Sequence, residues 1–133
     1  MSEISASLRE SMEQSPYAKK LGFRLIELST GYSKISVEIA PHHLNFLGAV
    51  DGGLIMSLAD YAFACSCNTF GQKRVAVQFD THCLSASPLE GTLTAEGKTV
   101  HAGKTTALTE ITVTASSGKL IAKATGVAIT LNV

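Results

Sequence analysis

Residues 54–70 read Leu-Ile-Met-Ser-Leu-Ala-Asp-Tyr-Ala-Phe-Ala-Cys-Ser-Cys-Asn-Thr-Phe, and no other stretch restricts the fold as strongly. Between Asp51 and Lys73 the only charged side chain is Asp60. A helix that is apolar on nearly every side must be surrounded by protein. The rest of the chain therefore has to form a shell around one central rod, and 133 residues suffice for a single domain, 1–133, with a real core. A carboxylate inside such a rod is costly unless something compensates for its lost hydration. Asp60 is thus either a structural acid bonded to backbone or Ser, or a general base or nucleophile kept dry and reactive.

The turn ahead of the rod, Asn45-Phe-Leu-Gly-Ala-Val-Asp51-Gly52-Gly53, favours the second reading. Gly52 and Gly53 leave bare backbone N–H groups at a helix N-terminus, where the macrodipole favours negative charge. Such a site can hold the oxyanion of an acyl-transfer intermediate. Gly52 and Asp60 stand eight residues apart. At a rise of about 1.5 Å per residue that separates them by roughly 12 Å, too far for one reacting carbonyl to touch both in one chain. Two helices antiparallel across a twofold axis would bring each Asp60 to the other chain's Gly52, so shared action requires a dimer with two shared sites.

The flanking sequence supplies the shell. Ile4, Leu8 and Met12 give residues 3–14 a weak amphipathic helix. Ser15 and Pro16 cap and open a short turn, Tyr17 to Leu21, which Gly22 closes. Phe23 to Leu28 and Tyr32 to Ala40 form a hairpin about Thr30-Gly31, the second strand alternating Ile35, Val37, Ile39 against Ser36 and Glu38. Gly71 is expected to cap the helix. Arg74 to Ser85, Thr92 to His101, Lys104 to Ala115 and Lys119 to Val133 then read as long strands, the last two joined by a tight turn at Ser116-Ser117-Gly118. One antiparallel sheet wrapped around one helix is the economical α+β solution.

Composition excludes several functions. Eleven basic side chains balance eleven acidic ones, so nothing electrostatic points to nucleic acid or an anionic membrane. No apolar run is long enough to span a bilayer, and the polar N-terminus does not resemble a secretion signal. Three cysteines form no disulfide framework, which favours a reducing cytoplasm. Cys65-Ser-Cys67 lacks a second pair for zinc, so buried, inert thiols are expected and no metal site. There is no Gly-rich phosphate loop of Walker or dinucleotide type.

The order of elements, with Leu44-Asn45-x-x-Gly48-x-x-Asp51-Gly52-Gly53 and Leu58-Ala59-Asp60-x-Ala62-Phe63-Ala64-x-x-x-Asn68, resembles the hotdog-fold thioesterases of phenylacetate degradation, the hydroxyphenylacetyl-CoA family. The similarity runs from about Ser15 to Leu131 and includes Gly118-Lys119-Leu120. It implies hydrolysis of an acyl-CoA thioester in an oligomer, usually a tetramer of two hotdog dimers, with no cofactor beyond the coenzyme A of the substrate. Asp60 matches the family's catalytic carboxylate, and Gly52 the backbone N–H that polarises the thioester carbonyl. Asn45 matches a residue that positions the thioester, and Gly53, which completes the glycine pair, is expected with Asn45, Asp51 and Gln78 at the substrate-binding site.

Two positions depart from the family pattern. Asp51 stands where the family most often has His, and is expected to act as an N-cap; facing the thioester, its charge would oppose an oxyanion and raise the pKa of Asp60 across the interface. Ala76 stands where some relatives carry a Ser or Thr that orients the attacking water, and Gln78, two residues on, is the candidate substitute on the same strand face. Coenzyme A carries phosphates, for which Arg74, Lys98 and Lys104 near strand ends are the candidate ligands, against a simple role as solvated surface charges. His42 and His43 read as loop histidines, and Asp80 with His82 as a partly solvated polar pair.

An acyl-CoA thioesterase acting on an aryl-acetyl or medium-chain acyl group, with Leu54, Phe63 and Phe46 lining its pocket, is the leading reading. A hotdog dehydratase would want a catalytic His, and none occurs from Leu44 to Thr81. The remaining alternative is a catalytically weak acyl-CoA-binding or assembly protein.

Overall fold

The computed structural model describes residues 4–132, so Glu3 and Val133, expected at the ends of the first helix and the last strand, lie outside the described residues. Two short helices, α1 (Ala6–Glu13) and α2 (Pro16–Leu21), precede a hairpin of β1 (Arg24–Ser29) and β2 (Tyr32–Glu38). A single turn of 3₁₀ helix, Pro41–His43, leads to the long helix α3 (Gly52–Cys67). Four strands follow: β3 (Arg74–Cys83), β4 (Thr92–Ala102), β5 (Thr106–Ala115) and β6 (Leu120–Thr130). The six strands form one antiparallel sheet in the order β1-β2-β4-β5-β6-β3, with α3 against its inner face. This is the hotdog arrangement.

The inner face is built by alternation. Ile35 and Val37 of β2, Leu93 and Ala95 of β4, Ile111 and Val113 of β5, and Ala122 and Ala124 of β6 stand opposite one another in register and are buried beneath α3. The helix sits so close that two glycines are obligatory. A Cβ on Gly97 would lie 2.7 Å from the Ala62 carbonyl oxygen, and one on Gly126 would lie 2.8 Å from the Phe63 ring. Ser33 Oγ donates to that same Ala62 carbonyl at 2.7 Å, so the seat of the helix is also hydrogen-bonded.

Several local signals act differently from expectation. Ser15 makes no side-chain cap bond, although Pro16 does open α2 and Gly22 closes it at φ 84°. Ser5 caps α1 instead, accepting from the Leu8 N–H at 3.2 Å. Helix α3 ends at Asn68 rather than Gly71, because the Asn68 side chain bonds the Ala64 carbonyl and both backbone groups of Arg74. Gly71, at φ 80°, belongs to the turn beyond.

The close approach of α3 gives a direct test. Gly97→Ala forces a methyl against backbone that cannot yield, and is expected to cost about 1–3 kcal/mol as an overpacked contact. Urea unfolding monitored by circular dichroism measures it; an unchanged midpoint would show that the helix can ride higher on the sheet.

Candidate active site

Asp51 takes the N-cap of α3, its Oδ1 accepting the Gly53 N–H at 2.7 Å and its own carbonyl accepting from Leu54 at 3.0 Å. The charge that departs from the family pattern thus has a local role. It leaves the Gly52 N–H, the first of the helix, without a side-chain acceptor and placed where the macrodipole is positive. The approach loop is held by Asn45. Its Oδ1 accepts from Leu47 at 2.9 Å and Ala49 at 3.1 Å, so its carbonyl end is occupied in organising the turn.

Asp60 is exposed in the isolated chain, contrary to the burial that the helix's composition implied. The sheet covers most of α3, but Met56, Asp60 and Ala64, four residues apart, form an open stripe along it. An apolar composition could not show which side of the rod the shell leaves bare. Surrounding protein still desolvates the Asp60 carboxyl enough to raise its pKa above the ordinary 3.8, with no hydrogen bond or neighbouring charge contributing.

Beside this stripe runs β3, the last strand of the sheet, with one edge unpaired. Val75 and Val77 on it are 44% and 56% exposed, unusual for valines on a strand so close to the core. A bulge at Val77 sets Ala76 opposite Ala128 and Gln78 opposite Val127. Ala76 therefore shares the helix-facing side with Phe79 and Thr81, while Gln78 lies on the outer side, donating to Asp80 at 3.2 Å. Strict alternation had placed Ala76 and Gln78 together; the bulge separates them, so Gln78 does not replace a hydroxyl at Ala76. Thr81 Oγ1 is buried without a hydrogen-bond partner on that inner side, but five residues from Ala76. That is about 17 Å along a strand.

Three other expectations change. Phe63 is buried against Phe79, with ring centroids 5.7 Å apart, whereas Phe46 is 95% exposed, so Leu54, Phe63 and Phe46 line no common pocket in the chain. His43 is buried rather than a loop histidine: its Nδ1 accepts the Ala40 N–H at 2.9 Å, so Nε2 carries the proton and donates to the Leu21 carbonyl at 2.8 Å. Arg74, expected at the rim for phosphate, is buried. Its guanidinium donates to the carbonyls of Cys67 and Gly103, to Gln72 Oε1 and to Thr130 Oγ1. A cation at the C-terminal carbonyls of a helix also complements the macrodipole. Lys98 and Lys104 are exposed. Lys98 pairs opposite Tyr32 and Glu110 on the sheet face away from α3, and Lys104 follows the Gly103 turn near the end of α3 remote from Gly52.

Burial pushes the thiols of Cys65 and Cys67 up, to about 12 and about 11. Among the described residues no group of three His, Cys, Asp or Glu side chains is placed to hold a metal, and no helix is long and apolar enough to cross a membrane. Clefts of about 310 and 350 Å³ flank the helix entrance, the first lined by His42, Asp51, Gly53 and Ser57, the second by Gly52, Ile55 and Cys83.

With this geometry in view, the family model described as the thioesterase superfamily matches residues 47–122, which take in α3 and all of β3, β4 and β5. The chain belongs to the thioesterase superfamily. The acyl-coenzyme A thioesterase PaaI of Escherichia coli is 32% identical over 110 residues, covering 83% of this chain and 79% of that protein. The structure of the Escherichia coli PaaI protein, from the phenylacetic acid degradation operon, matches with a TM-score of 0.89 at 29% identity, over 93% of this chain and 90% of that one. A Streptococcus mutans protein bound to acetyl-CoA matches with a TM-score of 0.79 at 28% identity, over 82% and 88% of the two chains. This chain is accordingly a hotdog thioesterase of the PaaI family.

In this thioesterase Arg74 is a structural residue. Arg74→Met leaves the Cys67 and Gly103 carbonyls short of a donor and is expected to destabilise by about 1–3 kcal/mol. The KM for an acyl-CoA should change little; a large rise in KM with unchanged stability would return Arg74 to the substrate.

Proposed function

We propose that the protein hydrolyses an acyl-CoA thioester to free acid and coenzyme A at a site shared between two subunits. Asp60 of one subunit activates water or attacks the carbonyl, and the Gly52 N–H of the partner subunit holds the oxyanion. One observation carries this reading. The Asp60 carboxyl stands on the open stripe of α3, beside the unpaired edge of β3, while the oxyanion donor lies two turns away at the head of the same helix. A second copy pairing along β3 would cover Met56, Val75 and Val77 and bring the two groups together. That contact would also supply the burial which the isolated chain withholds from Asp60, raising its pKa further.

On this reading the minimal active unit is a homodimer, assembled into a homotetramer as in the resemblance, and working in the cytoplasm. No cofactor is required beyond the coenzyme A carried by the substrate. Gly53 has no role as a donor, since Asp51 occupies its N–H. Asn45 acts by shaping the loop and offers its amide nitrogen to the thioester. Lys98 and Lys104 are available to phosphates from their exposed positions. The alternative, an acyl-CoA-binding or assembly protein with little turnover, is favoured by one feature: Ala76 supplies no hydroxyl, and Gln78 is turned to the other face.

Two substitutions separate the roles. Asp60→Asn is expected to lower thiol release from acyl-CoA by roughly 100-fold or more, the scale of a lost general base. Gly52→Pro replaces the N–H with the ring Cδ: the position is N1 of the helix, a site proline tolerates, and a Cβ there meets nothing within 4 Å. A loss of roughly 100- to 1,000-fold is expected with the fold retained. Near wild-type rates for either variant would remove that group from the mechanism.

The pH profile follows from the raised pKa. The base works ionised, so kcat/KM should fall as pH drops through a value above 3.8. A folded pKa above the unfolded one means that stability declines as pH rises through that window, and the ionised carboxylate is a burden at neutral pH. Asp60→Asn should therefore melt no lower than wild type at pH 7. A lower melting temperature would make Asp60 a structural acid.

A further inference from the structure

We propose that the cleft between α1 and the C-terminal half of α3 receives the acyl group of the substrate, so that α1 sets which acyl chains are accepted. This rests on the thioesterase reading of Asp60. The cleft has a volume of about 330 Å³ and is walled by Leu8 and Met12 of α1 and by Tyr61, Ala64 and Cys65 of α3. Ala64 lies one helical turn beyond Asp60 on the open stripe. Side chains four apart on a helix stand about 5–6 Å from each other. An acyl group whose carbonyl meets Asp60 therefore reaches this cleft within its first few carbons.

The wall is mainly apolar, with Ser15 and the exposed Lys73 completing the lining. Three of its other polar side chains are already engaged within the protein. Tyr61 Oη donates to the Met12 carbonyl at 2.5 Å, Ser11 Oγ to the Leu8 carbonyl at 2.8 Å, and Asn68 Nδ2 to the Ala64 carbonyl at 2.9 Å. The Tyr61 bond also ties α1 to α3 and fixes the width of the cleft. By contrast, the cleft on the α2 side presents the His42 ring and the Asp51 carboxylate, and an apolar chain there would strip water from a charged group. The volume is about twice the ~150 Å³ of an apolar cavity that binds benzene, which suits an aryl-acetyl or medium-chain acyl group.

The test is the chain-length profile of kcat/KM over acetyl-, butanoyl-, octanoyl-, dodecanoyl- and phenylacetyl-CoA, measured by thiol release. Leu8→Trp narrows the cleft and should lower the octanoyl-to-acetyl and phenylacetyl-to-acetyl ratios by about 10-fold or more, the discrimination a hydrophobic pocket gives for small changes in fit. Ser11→Trp, at an exposed rim position, should act in the same direction and serves if Leu8→Trp does not fold. Leu8→Ala should move the optimum toward longer chains. If all ratios stay as in wild type while Asp60→Asn remains inactive, the acyl group lies elsewhere and the thioesterase reading survives. If the wild-type protein releases thiol from none of these substrates, both proposals fall.

Discussion

The seating of α3 on the sheet is the contact on which the rest of the molecule depends. Gly97 and Gly126 let the helix backbone at Ala62 and the ring of Phe63 come within distances that no side chain would permit, and the Ser33 hydroxyl bonds the carbonyl at that point. Close packing fixes the helix in rotation as well as in height. Once rotation is fixed, so are the residues that face away. Met56, Asp60 and Ala64 are turned outward because Leu58, Ala62 and Phe63 are turned inward. The position of the catalytic candidate is thus a consequence of two glycines more than thirty residues downstream of it.

One side of the chain leaves apolar surface bare. Its edge strand carries exposed valines, a bulge and an unpaired row of backbone groups, and next to it lies the bare stripe of the helix. Either feature alone would be unremarkable in a monomer. Their adjacency makes one continuous surface in which an acid with a raised pKa is the only charged residue of the helix. The proposed shared site would account for a polar group there, since the cost of desolvating it would be recovered in catalysis.

Much of this was legible in the residues. The number, order and type of the elements follow from period-two alternation, from turn glycines and from the apolar run of α3, and the cap at Asp51 follows from its place before two glycines. What was not legible depends on contacts distant in sequence. The bulge at Val77 cannot be read from Arg74 to Cys83, because it is set by register against β6, and it reverses the relation of Ala76 to Gln78. Arg74 looks like any strand-end cation until the Gly103 turn is brought to it. His43 looks like a loop residue until the Leu21 carbonyl closes over its ring. The exposure of Asp60 is the most instructive case: composition shows that α3 needs a shell, and only topology shows which stripe of the helix the sheet leaves bare.

The shared site is tested most directly by mixing two defects. Each of the variants Asp60→Asn and Gly52→Pro has both of its sites impaired when assembled alone. In a mixed dimer one site collects both defects and the other is intact. Co-expression at equal levels should therefore restore activity to about a quarter of wild type, since half the dimers are mixed and each has one working site. Activity no greater than the sum of the separate variants would contradict the account, and would place Asp60 and Gly52 in separate chemistry or outside it.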